Sequence, residues 1–165
     1  MILASIMTQA MSRTFFRLSV FKARIRKPKP FVLDSWAILV YLEDEPAGIK
    51  VADLIADARE CGDSLLMTVV NIGEVWYILG RETSEAAAER SITELKELGI
   101  EFVEVDWKLA REAAAFKSKY RMSFADCFAA ALAKERKATL VTGDPEFKQV
   151  ERIIQLHLLE PKQGD

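Results

Sequence analysis

Four acidic residues occupy positions where a carboxylate can do more than face solvent. Asp34 follows the apolar run "FVL", and Asp144 follows "TLVT" after a single glycine. Glu74 lies within the apolar stretch "VVNIGEVWYIL", and Asp126 comes three residues after Ser123. Two carboxylates about 4 Å apart repel by roughly 4 kcal/mol at an effective dielectric of 20, so a cluster of them needs a compensating cation. Carboxylate oxygens favour a hard divalent ion such as Mg²⁺ or Mn²⁺.

Such an ion points to hydrolysis of a phosphodiester. It lowers the pKa of bound water, orients the phosphodiester and stabilises the attacking and leaving oxygens of an in-line displacement. Zinc sites and histidine-based triads are disfavoured, because the chain has one histidine, His157, and two distant cysteines, Cys61 and Cys127. Both cysteines fall in apolar helical surroundings, and we predict that they are buried free thiols.

Each acid also has a purely structural explanation. Asp34 and Asp144 are good helix N-caps, the latter with a proline at the first helical position. Ser123 and Asp126 match the capping-box pattern. Glu74 could be a solvated helical glutamate. It is nevertheless the hardest acid to explain structurally, because leaving an acid in an apolar helix for no purpose is costly. The metal hypothesis, in contrast, requires all four carboxylates to converge in space.

The elements that must position these acids are predicted from Phe31 onward, where short apolar runs alternate with helical patterns. One helix begins near Ser123 and places Phe124, Cys127 and Phe128 on one apolar face. We expect a single α/β domain, a three-layer α/β/α arrangement with four or five parallel strands and helices on both faces. Ligand sites of such sheets lie at the carboxyl ends of the strands, the edge at which the acids are predicted. The predicted strands are "FVLD", "LLMT", "EFVEV", "TLVT" and "IIQLHLL".

The first 30 residues differ from the predicted domain at 31–165, because they hold seven basic residues and no acid. This N-terminal extension is either a disordered basic arm, able to bind nucleic acid, or the product of a start codon assigned too far upstream. No apolar run reaches the roughly 18 residues of a membrane span. The apolar start precedes the basic charges, unlike a signal peptide. We therefore expect a cytoplasmic protein without a membrane contact.

Four stretches, "FVLDSWAILVYLEDE", "TVVNIGEVWYIL", "SFADCFAAALA" and "TLVTGDPEF", resemble the acidic motifs of the PIN-domain nucleases in order and spacing. The resemblance is closest to the VapC ribonuclease toxins of toxin–antitoxin pairs. It implies an Mg²⁺- or Mn²⁺-dependent endoribonuclease that hydrolyses RNA, forms a homodimer and is inhibited by a cognate VapB-type antitoxin. It also implies that the catalytic residues and metal ligands are Asp34, Glu74, Asp126 and Asp144.

Further roles follow from this resemblance. Thr142 would orient a carboxylate or a metal-bound water, with capping of the strand end as its alternative, and Ser35 and Asn71 could act similarly. Gly143 is predicted to relieve the backbone at the strand end. Because residues 31–165 are net negative, RNA binding needs local cations. The candidates for phosphate contacts are Arg81, Lys117, Lys119, Arg121 and, if it is ordered, the N-terminal extension. Trp36, Trp76 and Tyr77 are predicted to be core residues and not base-stacking platforms, with burial of a partner's segment or of a second subunit against part of this surface as the alternative.

Two other functions compete with the nuclease hypothesis. The first is a catalytically inactive PIN-like binding or scaffold module, in which the acids only cap helices. The second is another phosphate-ester hydrolase, such as a phosphatase. It is disfavoured because "LDSW" lacks a second aspartate two residues after Asp34.

Overall fold

A computed structural model describes residues 27–159 of the 165-residue chain. Most of the predicted basic extension, residues 1–26, lies outside this part, as do residues 160–165. The described elements are β1 (Pro30–Leu33), α1 (Ser35–Leu42), α2 (Pro46–Cys61), β2 (Ser64–Thr68), α3 (Val69–Glu82), α4 (Glu85–Glu97), β3 (Ile100–Val103), α5 (Trp107–Lys117), α6 (Phe124–Arg136), β4 (Thr139–Thr142), a 3₁₀ helix (Pro145–Val150) and β5 (Gln155–Leu158).

The five strands form one sheet in the order β3-β2-β1-β4-β5. Every neighbouring pair is parallel, which confirms the predicted parallel sheet. The central strand β1 lies between β2 and β4, with Val32 opposite Leu66 and Leu140. Because all strands run in one direction, their carboxyl ends meet at a single edge of the sheet.

Two hydrophobic cores cover the two faces of this sheet. Successive side chains of a strand point to opposite faces, so Val32 belongs to one core and Leu33 to the other. Helices α5 and α6 pack on the first face, and α1 to α4 pack on the second. The predicted three-layer arrangement is therefore confirmed.

Some side chains and boundaries differ from the prediction. Tyr77 is 45% exposed, so its assignment to the core is wrong, whereas Trp36 and Trp76 are partly buried against the second core. Cys127 is buried, but Cys61 is only half-buried at the end of α2. The helical pattern after Asp106 predicts a helix to about Tyr120, whereas α5 ends at Lys117. No helix among residues 27–159 combines the length and the hydropathy needed to span a bilayer.

Gly48 allows the backbone of α2 to approach the end of α1. A Cβ atom at this position would lie 2.2 Å from the carbonyl oxygen of Val40, which accepts a hydrogen bond from the N–H of Glu45. Because this neighbour is backbone, it cannot rotate away from an added methyl group. We expect Gly48→Ala to lower the free energy of unfolding by about 1–3 kcal/mol, measured by urea denaturation.

Gly80→Ala is the matched control for this substitution. Gly80 also lies within a helix, α3, but an added Cβ would have no neighbour within 4 Å. Alanine should therefore stabilise the protein there by about 0.5–1 kcal/mol through its higher helix propensity. Equal stability of the two variants would contradict the close packing of α1 against α2.

Candidate metal centre

Three of the four predicted acids come together at the carboxyl edge of the sheet. Asp34 follows β1, Asp144 follows the neighbouring β4, and Asp126 lies in the first turn of α6. The charges of Asp126 and Asp144 both raise the pKa of Asp34. One carboxylate oxygen from each of Asp126, Asp144 and Glu146 lies within 4.8 Å of the other two. We call these three residues the carboxylate cluster; Asp34 lies beside it.

Glu146 was missed in the sequence. It lies in the short 3₁₀ helix that begins at Pro145, and its N–H donates to Oδ1 of Asp144 at 2.7 Å. This turn brings two acids separated by one proline to the same side of the chain. The pattern "DPE" was the available signal, but an acid in the first turn of a helix is also common without any ligand.

Glu74 is not brought into the carboxylate cluster. It is half-buried in α3, one turn beyond Asn71. The side-chain amide of Asn71 donates to the carbonyl oxygen of Ala125 at 3.1 Å, which ties this side of α3 to the residue before Asp126. Glu74 therefore lies on a helix anchored beside the site, and its role as a metal ligand stays a prediction.

The three converging aspartates also make the local hydrogen bonds that their structural explanation predicts. Oδ1 of Asp34 accepts from the N–H three residues on at 2.8 Å. Oδ2 of Asp126 accepts from the N–H of Ser123 at 3.1 Å, completing a capping box. Asp144 caps the 3₁₀ helix through Oδ1. Each cap engages one carboxylate oxygen, so capping and metal binding are compatible at the same residue.

Asp34 is the acid whose surroundings are least suited to a negative charge. Its side chain is 1% exposed, and within residues 27–159 its Oδ2 atom has no hydrogen-bond partner. Burial raises the pKa of Asp34 to about 7, against an ordinary 3.8, and the nearby Thr142 hydroxyl opposes only part of this rise. A buried carboxylate oxygen without a partner is costly. A proton at this atom would remove the buried charge, and a metal ion would also supply the missing partner.

Thr142 lies between two of the acids. Its side chain is completely buried, and its Oγ1 atom accepts a hydrogen bond from the N–H of Asp144 at 3.0 Å. The same hydroxyl favours the charged form of Asp34. Thr142 therefore caps the strand end, which was its structural alternative. Its hydroxyl also lowers the pKa of Asp34.

A buried polar network fixes the elements around the acids. The Asn71 amide donates to Oγ of Ser35 at 3.2 Å, and its Oδ1 atom accepts from Oγ1 of Thr68 at 2.6 Å. Thr68 was not singled out in the sequence, although a threonine three residues before Asn71 is a recognisable N-cap. Because satisfied buried networks are rigid, this one holds the ends of β1 and β2 in register.

Gly143 is required for a different reason from the one predicted. Its backbone is not among the positive-φ glycines of the described chain, which are Gly62 and Gly99. A Cβ atom at Gly143 would instead lie 2.1 Å from the indole ring of Trp36. The glycine thus makes room for Trp36 between the two acid-bearing strand ends, and the prediction of backbone relief is wrong.

No basic side chain neutralises the site within the described part of the chain. The ion pairs found there join Lys108 and Arg136 to Glu135, and Lys134 to Glu112. They lie on α5 and α6, and none includes a site acid. A carboxylate cluster without a basic partner, beside the buried Oδ2 of Asp34 that has no hydrogen-bond partner among residues 27–159, fits a hard divalent cation.

Asp34 should make the stability of the metal-free protein depend on pH. Its pKa is about 7 in the folded chain and 3.8 ordinarily, so between these values the folded state keeps a proton that the unfolded state has lost. The free energy of unfolding then falls as the pH rises from about 4 to about 7 and is level above that. Asp34→Asn keeps an oxygen for the cap but cannot ionise.

We therefore expect the stability of Asp34→Asn, relative to the unmodified protein, to rise by on the order of 4 kcal/mol over that pH range. Urea denaturation in chelator at several pH values measures it. Asp106 makes the same 2.8 Å cap from an exposed position, so Asp106→Asn should show a much smaller change. A stability difference for Asp34→Asn that does not vary with pH would show that this carboxyl is not desolvated.

Comparison with known proteins identifies the family and the fold. The PIN domain family matches residues 31–153. No curated protein sequence matches the chain. VapBC2 from Rickettsia felis, solved with a DNA fragment from its promoter, is similar with a TM-score of 0.63 at 13% identity, covering 79% of this chain and 99% of that one.

Two further solved structures show the same fold. VapC20 from Mycobacterium tuberculosis, described as a toxin that cleaves the sarcin–ricin loop, gives a TM-score of 0.59 at 16% identity, covering 73% of this chain and 94% of that one. DNA-bound VapBC from Salmonella typhimurium gives 0.59 at 15% identity, covering 81% and 99%. At such identities the likeness establishes the fold alone. With the family match over residues 31–153, it leads to one conclusion: this chain belongs to the PIN domain family.

Proposed function

We propose that the chain is a divalent-metal-dependent endoribonuclease that acts as the toxin of a toxin–antitoxin pair. The observation that carries this proposal is the carboxylate cluster beside Asp34, whose buried Oδ2 atom has no hydrogen-bond partner among residues 27–159. An all-oxygen donor set favours Mg²⁺ or Mn²⁺ over zinc. Membership of the PIN domain family supports nuclease activity, and the fold shared with a toxin described as cleaving the sarcin–ricin loop supports RNA as the substrate.

The proposed ligands are Asp34, Asp126 and Asp144, each through the carboxylate oxygen that does not accept the capping hydrogen bond. Glu146 and Glu74 are proposed as further ligands. When bound, the cation activates water and offsets the charge that develops on the phosphate. Asp34 and Thr142 form the buried side of the site, and their packing restricts the positions that the ligands can adopt. In the reaction the oxygen of water bonds to phosphorus, and a ribose oxygen leaves with a proton.

The caps favour a second candidate, an inactive PIN-like binding module. Each of the three aspartates has a local hydrogen bond that is sufficient reason for an acid at its position. This alternative does not account for the orphaned oxygen of Asp34. It predicts that Mg²⁺ and Mn²⁺ leave the thermal midpoint unchanged, whereas a real site stabilises the folded state by mass action.

The proposal extends to the partners. Similar folds occur in the VapBC complexes of Rickettsia felis and Salmonella typhimurium, which supports a VapB-type antitoxin as the inhibitor of this chain. We also propose a homodimer, as the resemblance to VapC toxins implies, and action on RNA in the cytoplasm. Sedimentation of the purified protein tests the homodimer directly.

Asp126→Asn should abolish the nuclease while preserving the fold. The amide keeps an oxygen that can accept from Ser123 N–H, but it removes a charged ligand. We expect RNA cleavage to fall by at least about 100-fold and the thermal shift induced by Mn²⁺ to shrink. The measurement is incubation of purified protein with total cellular RNA, with and without chelator, followed by mapping of the cut ends.

Asp106→Asn serves as the matched control, because Asp106 also caps a helix and lies outside the carboxylate cluster. This variant should cleave RNA and respond to Mn²⁺ like the unmodified protein. Undiminished cleavage and undiminished host growth arrest by Asp126→Asn would count against the nuclease. Equal loss in both variants would show that capping, not metal binding, is what the acids supply.

A further inference from the structure

Phe124 is exposed where its helix would be expected to bury it. The helical pattern places it on one face of α6 with Cys127 and Phe128, and both of those side chains are buried. Phe124 is 50% exposed instead. As the first residue of α6, it lies beyond the edge of the core that covers the rest of that face.

The ring of Phe124 is nevertheless held in place. It packs on Phe128, with 4.9 Å between the ring centroids and 58° between the ring planes. Phe128 is itself 5% exposed and belongs to the core between the sheet, α5 and α6. One side of the Phe124 ring is thus supported by a fixed aromatic neighbour, while half of the side chain remains in solvent. Little conformational freedom is left to lose when a ligand covers it.

Phe124 also has a fixed position relative to the carboxylate cluster. Asp126 follows it by two residues in the same first turn. The preceding loop, residues 118–123, is bound to the 3₁₀ helix through Gln149. That side chain accepts from Arg121 N–H at 3.2 Å and donates to the carbonyl oxygens of Arg121 and Glu146, both at 3.0 Å.

The charge of this loop suits a polyanion. Residues 118–123 contain Lys119 and Arg121 and no acid, and both cations are exposed. Lys117, at the end of α5, donates to the carbonyl oxygen of Met122, so its charge also lies at the loop. Among the described residues none of these three cations forms an ion pair. The positive loop, the exposed ring of Phe124 and Asp126 therefore follow one another in the chain, and Gln149 binds the loop to the 3₁₀ helix that carries Glu146.

We propose that Phe124 is the stacking platform for an unpaired base of the RNA, next to the phosphodiester held at the carboxylate cluster. This inference rests on the proposed nuclease function. Single-stranded nucleic acids bind proteins through aromatic rings that stack on bases and cations that follow the backbone. Lys119 and Arg121 supply the cations, and Phe124 supplies the ring. The substrate class is accordingly RNA with an unpaired nucleotide beside the cut.

The test compares Phe124→Ala, Phe124→Leu and Phe124→Trp in the full chain. The probe is a single-stranded RNA oligonucleotide and a series in which one abasic ribose replaces each nucleotide in turn. Affinity is measured by fluorescence anisotropy in chelator, and cleavage is measured separately with Mn²⁺. Alanine and leucine should each weaken binding of the intact RNA by on the order of tenfold, because stacking on one base is worth about that much. Tryptophan should retain it.

The abasic series assigns the effect to one base. In the unmodified protein, one abasic position should weaken binding by a similar factor, and in Phe124→Ala that position should no longer matter. Trp107→Ala is the matched control: Trp107 is also the first residue of a helix and is 78% exposed, but it lies on α5, outside the loop. This variant should bind the intact RNA and each RNA of the abasic series as the unmodified protein does.

The outcomes separate this inference from the nuclease proposal. Binding that depends on Phe124 without any cleavage would overturn the nuclease and support the base platform. Cleavage and affinity that are unchanged in Phe124→Ala would overturn the platform and leave the nuclease standing. A change in oligomeric state with unchanged RNA affinity would also overturn it, because Phe124 would then contact a protein. Leucine acting like phenylalanine would show that an apolar contact, not stacking, is involved.

Discussion

The structure depends on a concentration of negative charge at the carboxyl edge of the sheet. Asp34 ends the central strand, is almost completely buried, and has the charges of Asp126 and Asp144 nearby. Free carboxylates in water would move apart because they repel each other, but here the strand ends and the helix starts hold the three side chains together. The arrangement is unfavourable for a metal-free chain at neutral pH, and a divalent cation bound there would offset the repulsion between the carboxylates.

The fold supplies this arrangement through the same interactions that define its elements. Parallel strands place β1 and β4 side by side, so the acids after them become neighbours although 110 positions separate them in the chain. Helix caps orient one oxygen of each carboxylate. The buried bonds of Asn71 to Ser35 and to Ala125 then fix α3 against the starts of α1 and α6. Local capping and the convergence of the acids are therefore two results of one set of contacts.

How much of this could be read from the sequence depends on the range of each interaction. The sheet and the convergence of Asp34, Asp126 and Asp144 follow from apolar runs, caps and the parallel rule, which are local patterns with one global consequence. Glu146 was missed because a 3₁₀ turn, not a periodicity, places it. Contacts between residues far apart in the chain could not be predicted: no residue near Gly143 in the sequence indicates that the ring of Trp36 packs against it. Phe124 fits the helical period, yet only the extent of the core shows that the ring stays outside.

Anomalous diffraction from crystals grown with Mn²⁺ shows directly whether these carboxylates hold a divalent ion. We expect a manganese peak in contact with carboxylate oxygens of Asp34, Asp126 and Asp144, and no such peak in crystals of Asp126→Asn. Crystals in saturating Mn²⁺ that show no manganese at these residues, or manganese only on the outer faces of the helices, would contradict it.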